Sequence, residues 1–143
     1  MNLILAAHGV LAQETANAAG MVFGQIEKMD VVTFVPGENA DTLKEKYQAI
    51  ISKCADDEEI LFLVDLFGGS PYNAAFETVV KEKRMDVITG LSLPMLIDVV
   101  GIREMEDDLR ACDVYEKLSK DTYSKSCKTL LGQTAKEEEE DEL

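Results

Sequence analysis

The chain has no tryptophan, one histidine, three prolines and three cysteines in 143 residues. Cys54, Cys112 and Cys127 are an odd set, widely spaced and without a CxxC pair, which points to reduced thiols and argues against a zinc site. Cys54 and Cys112 fall on apolar faces of predicted helices, where core filling is the expected role, and the methionines, Met95 included, read as core. Positive charge is scarce too. Lys and Arg number 14 against 28 Asp and Glu, for a net charge of −14. That balance argues against a nucleic-acid partner, which needs a basic face, and favours a basic protein partner through steering. No apolar run reaches membrane-spanning length, and no basic leader precedes the first one. The expectation is a cytoplasmic protein with no direct membrane insertion.

What remains is 46% hydrophobic, and its apolar runs alternate with helix-length amphipathic segments. That alternation marks βαβ units, hence an α/β fold with a doubly wound, mainly parallel sheet and helices on both faces. Residues 3–7 form a first strand and 11–28 a first helix. Residues 30–35 form a second strand stopped by Pro36-Gly37, and a second helix from about Asn39 carries Leu43, Tyr47, Ile50, Ile51 and Cys54 on one face. Residues 60–64 (ILFLV) are the most apolar run and the best central strand. Ser70 and Pro71 have the form of an N-cap followed by N1, opening a helix to about Lys83. A fourth strand spans 85–89, Ser92-Leu93-Pro94 opens another helix, and from Glu104 the apolar positions Met105, Leu109, Cys112, Tyr115 and Leu118 again recur at helical spacing. Residues 123–134 read equally as a short strand or a helix end. A single domain over 1–134 is expected, and the acidic block at 135–143 reads as a disordered tail. Its terminal EDEL only approximates a retrieval signal.

Chemistry gathers at one predicted sheet edge. The first strand ends in His8, the third in Asp65, and Gly68-Gly69-Ser70 opens the following helix. Ligands of open α/β sheets collect at the carboxyl ends of strands where the order reverses. In a 2-1-3-4 order His8 and Asp65 are neighbours, whereas a 3-2-1-4 order separates them. An adjacent carboxylate would hold Nδ1–H of His8 and leave Nε2 a free lone pair. The small residues Ala7, Gly9, Gly68 and Gly69 leave room for a tetrahedral anion, toward which the amides at the start of the next helix point. The chain has neither a Walker motif, a metal-ligating carboxylate cluster with His, nor a G-x-S-x-G elbow, so neither metal nor cofactor is expected. Reversible phosphorylation of His8 fits best. Read bluntly, His8 is a structural histidine, Asp65 caps a loop, and the glycines only make a turn.

Ala7-His8-Gly9, residues 34–40 (FVPGENA), residues 61–75 (LFLVDLFGGSPYNAA) and residues 93–96 (LPML) occur in the order and spacing of a known family. Over roughly the first 125 residues the chain resembles the enzyme IIA component of mannose-type (mannose, fructose, sorbose) sugar phosphotransferase systems. The resemblance implies a phosphocarrier. His8 would accept a phosphoryl group from phospho-HPr on Nε2 and pass it to a IIB component for sugar uptake. Asp65 would hold Nδ1, and Gly9, Gly68, Gly69 and Ser70 would lie by the phosphoryl group. It also implies a 2-1-3-4 sheet with an antiparallel fifth strand, sought in 123–134, exchanged between subunits of a homodimer. Ala7 departs from the pattern, standing where relatives often carry Thr or another small polar residue. With an acidic tail in place of an Ala/Pro-rich linker, IIB is expected on a separate polypeptide. The alternatives are the IIA-like phosphotransfer subunit that serves dihydroxyacetone kinase, or a regulatory binding module with a structural His8.

Overall fold

Alternation along the central strands builds two cores on opposite faces of one sheet. The computed structural model describes residues 1–132. Its elements run β1 (Asn2–His8), α1 (Leu11–Phe23), β2 (Met29–Phe34), α2 (Ala40–Ile51), β3 (Ile60–Val64), α3 (Ser70–Val79), β4 (Met85–Ile88), α4 (Leu93–Met105) and the single turn α5 (Val114–Lys117). The strands pair in the order β2-β1-β3-β4, all parallel, with Ala6 opposite both Val32 and Val64. Leu3, Leu5, Ala7, Leu61 and Leu63 pack under Ala12 and Ala19 of α1 and Met95, Leu96 and Val99 of α4. Ile4, Ala6, Phe62 and Val64 pack under Leu43 and Tyr47 of α2 and Ala74 and Ala75 of α3. Both faces of β1 and β3 are covered, which is why their sequences run almost unbroken in apolar residues. Each buried Leu, Ile or Phe contributes on the order of 2 kcal/mol through the water it sheds.

Local chemistry sets several ends. The Asn39 side chain accepts from Thr42 N and the Thr42 hydroxyl takes the Asn39 N–H, a capping box at the start of α2. Ser92 caps α4 by accepting from Met95 N. Helix α1 stops at Phe23, short of the expected residue 28, because Gly24 turns at φ 76° and donates back to Gly20 O. Helix α3 stops at Val79 rather than Lys83, and its N-cap is Gly69, not Ser70. The Ser70 side chain makes no capping bond, and Pro71 lies within the first turn.

The continuous helix expected from Glu104 does not form. Helix α4 ends at Met105, Glu106 is extended, and the chain continues through a 3₁₀ turn (Ala111–Asp113), α5 and a second 3₁₀ turn (Lys120–Thr122). This segment still buries Leu109, Ala111, Val114 and Leu118, but Cys112 faces solvent, contrary to its expected core role. Cys54 packs half-buried against the α2/α3 core as expected. Met85 and Met95 are core, whereas Met21 and Met105 are exposed. The expected fifth strand is absent among the described residues, where 127–132 are helical and exposed. Residues 133 and 134, and the tail expected at 135–143, lie outside the described part. No described helix is long and apolar enough to cross a membrane.

Candidate functional site at the β1/β3 switch point

Strand β1 is buried at each residue from Asn2 to Ala7 and exposed at His8, whose side chain is 47% accessible. Helix α1 leaves β1 toward one face of the sheet and α3 leaves β3 toward the other, so the two strand ends part around an open crevice. Asp65 lies directly beyond β3. Its Oδ2 is 2.8 Å from His8 Nδ1 and accepts the His8 backbone N–H at 3.0 Å. The second contact replaces a ladder bond. Asn2 N donates to Glu59 O, and the two-residue repeat would bring His8 N to Asp65 O, but that carbonyl is taken by Gly90 N. The carboxylate therefore holds backbone and ring of His8 together. Its other oxygen, Oδ1, is buried without a partner among the described residues.

The rest of the pocket is wall. Phe34 meets the imidazole edge-on, with ring centroids 5.7 Å apart. Residues 66–69 form a turn closed by Gly69 N–H to Leu66 O, with Gly68 at φ 80°, the position that a type II turn reserves for glycine. A Cβ on Gly69 would stand 2.9 Å from His8 Cε1 and 3.6 Å from Nε2, so this backbone lies directly against the ring. Gly9, at φ 61°, exchanges backbone bonds with Phe34. The N–H groups of Gly9 and Gly69 are thus consumed, while those of Gly68 and Ser70 and the Ser70 hydroxyl have no partner among the described residues. Ala7 is fully buried in the α1/α4 core. Tyr47, beneath the start of α3, donates its hydroxyl to Pro71 O at 2.9 Å. Burial and the nearby Asp65 charge push that phenol's pKa up.

His8, Gly9, Asp65, Gly68, Gly69 and Ser70 stand together at this edge, whereas Ala7 is buried in the core and Ser70 does not cap α3. Sequence reasoning missed Asn73, whose side chain holds the Gly68 carbonyl, and the ring contact of Phe34. An Asn on the first turn behind a diglycine was the available signal for the former. No group of three or more potential metal ligands occurs among the described residues.

A lone His–Asp pair at a sheet edge fits several chemistries, and comparison with known proteins chooses among them. The sequence model of the EIIA-man family, described as "PTS system fructose IIA component", matches residues 2–116. The chain belongs to that family. It is 38% identical over 104 residues to the fructose-specific EIIA component of the phosphotransferase system (PTS) of Bacillus subtilis, covering 73% of this chain and 71% of that protein. Identity is also 38% over 128 residues of the mannose-specific EIIAB component of Escherichia coli K12, covering 90% of this chain but 39% of that longer protein. Among solved structures, the EIIA component of Streptococcus agalactiae superposes with a TM-score of 0.72 at 27% identity, covering 81% of this chain and 87% of that one. The EIIA-man assignment brings with it a transferase role in a sugar phosphotransferase system.

Proposed function

We propose that this EIIA-man chain is a phosphocarrier that takes a phosphoryl group from phospho-HPr onto Nε2 of His8 and hands it to a separate IIB component. The observation that carries this reading is the 2.8 Å contact of Nδ1 with Asp65, which leaves Nε2 of a half-exposed ring as the free nitrogen. In the forward step the Nε2 lone pair attacks phosphorus as the P–N bond to the donor imidazole breaks, and the donor leaves with that electron pair. The proton stays on Nδ1, and the ionised Asp65 carboxylate that it faces offsets the positive charge that grows on the ring. The N–H groups of Gly68 and Ser70 and the Ser70 hydroxyl receive the phosphoryl oxygens. Transfer onward reverses these roles on the acceptor.

Two features favour a protein donor over a small molecule. The site is open, and a groove of about 570 Å³ beside β4 is lined by neither His8 nor Asp65. Exposed apolar side chains, Val10, Leu11, Val35, Leu66 and Phe67, lie on the segments that frame His8. Partner docking, a homodimer and action in the cytoplasm complete the proposal. Incubation with phosphoenolpyruvate, enzyme I and HPr tests it: an acid-labile, base-stable label is expected on His8. An unlabelled His8 overturns the carrier reading in favour of a binding module.

A further inference from the structure

Asn73 lies on the first turn of α3, and its side-chain Nδ2 donates to Gly68 O at 3.0 Å while its backbone N–H donates to Gly69 O at 2.9 Å. One residue thus holds both carbonyls of the diglycine. A helix-capping Asn ordinarily uses its oxygen to accept a backbone N–H. Here the amide nitrogen donates to the residue before the cap, because a carbonyl can only accept. Glycine is the residue with the most backbone freedom, and within the turn the one other clasp is Gly69 N–H to Leu66 O at 3.1 Å. The position of Gly69 matters because its backbone abuts the imidazole beside Nε2.

We propose that Asn73 is a positioning residue for phosphotransfer. By clasping the Gly68 carbonyl its side chain fixes the peptide that leads into Gly69, and so Gly69 itself, against the imidazole, while its backbone N–H holds the peptide that carries the Ser70 N–H, the next donor along the chain. The proposal rests on the His8 carrier reading. Asn73 itself is exposed and acts only through the turn.

Three variants test it: Asn73→Ala and Asn73→Asp remove the donor, and Asn73→Gln keeps one on a longer arm. With phospho-HPr as donor, the first two are expected to lower kcat about tenfold to 10²-fold, as small misplacements near reacting atoms do. KM should stay within about twofold, because the docking surface is untouched. Asn73→Gln should recover most of the rate. Since His8 is the sole histidine, its Hε1 resonance reports the wall directly and should shift in Asn73→Ala while Asp65 keeps the Nδ1-protonated tautomer. A wild-type kcat in Asn73→Ala, a rise in KM alone, or an Asn73→Gln rate no better than Asn73→Ala overturns the proposal. If the wild-type chain takes no label, the carrier reading fails on its own. An unmoved Hε1 in Asn73→Ala then overturns the positioning as well, and a shifted one supports it.

Discussion

One oxygen of Asp65 meets both the ring and the backbone of His8: Oδ2 is 2.8 Å from Nδ1 and 3.0 Å from the amide nitrogen. The bond to the backbone fixes where β1 ends relative to Asp65, so the ring is aimed by a main-chain contact as well as by its own. The consequence for chemistry is a defined tautomer on an accessible ring.

Asp65→Ala removes both contacts. Transfer to His8 is expected to fall on the order of 10²- to 10⁴-fold, and ¹⁵N spectra of the single imidazole should lose their preference for the Nδ1-protonated form. Wild-type single-turnover rates would remove Asp65 from the mechanism.

Gly69→Ala isolates the ring wall. Gly69 has φ −73° and ψ 168°, which any residue adopts, so alanine adds no backbone strain. Its methyl group would stand 2.9 Å from Cε1, forcing the ring or the turn to shift. Phosphorylation should slow by about tenfold or more while the thermal midpoint hardly changes. An unaltered rate would show that the ring position is not held by this wall.

Tyr47→Phe deletes a buried hydroxyl and the bond it gives to the Pro71 carbonyl, which α3 still engages. A loss of about 0.5–1.5 kcal/mol is expected, read from the urea midpoint at constant m.

Asp86, on the edge strand β4, is half-buried, and burial raises its pKa despite the bond its Oδ1 accepts from Val87 N. A folded-state pKa above the unfolded one gives a contribution fully present below the unfolded value and lost as pH rises through the folded value. Asp86→Asn keeps a carbonyl for Val87 N without the charge. It should raise stability at neutral pH by less than about 1 kcal/mol, since the group is partly solvated, and the gain should vanish below about pH 4. Denaturation across that range checks it, and a pH-independent difference would exclude the charge as its cause.

With a net charge of −14, the chain should steer a basic partner. Its association rate with HPr is expected to fall as salt rises. Stopped-flow rates that ignore ionic strength would place the recognition wholly in apolar contacts.

Much of the fold was legible because its signals are local. Unbroken apolar runs at β1 and β3 report strands buried on both faces, Asn39 and Ser92 cap their helices as their sequence context predicts, and the order 2-1-3-4 follows from the resemblance. The segment after Met105 was not. The spacing from Met105 to Leu118 predicts one helix, but irregular backbone instead buries Leu109, Ala111, Val114 and Leu118 against the α1/α4 core. Cys112 and Met105 are therefore exposed where periodicity placed them inside.

The sequence by itself determined which residues stand at the carboxyl ends of the strands, because strand ends and turn starts are written in runs, breaks and glycines. Only the tertiary structure decided that Asp65 takes the place of its own carbonyl in holding His8. It also decided that the diglycine is clasped by Asn73 rather than capped by Ser70. These are relations between residues far apart in the chain or between a side chain and a particular peptide group, and they follow from strand register and turn geometry, which residue type leaves open.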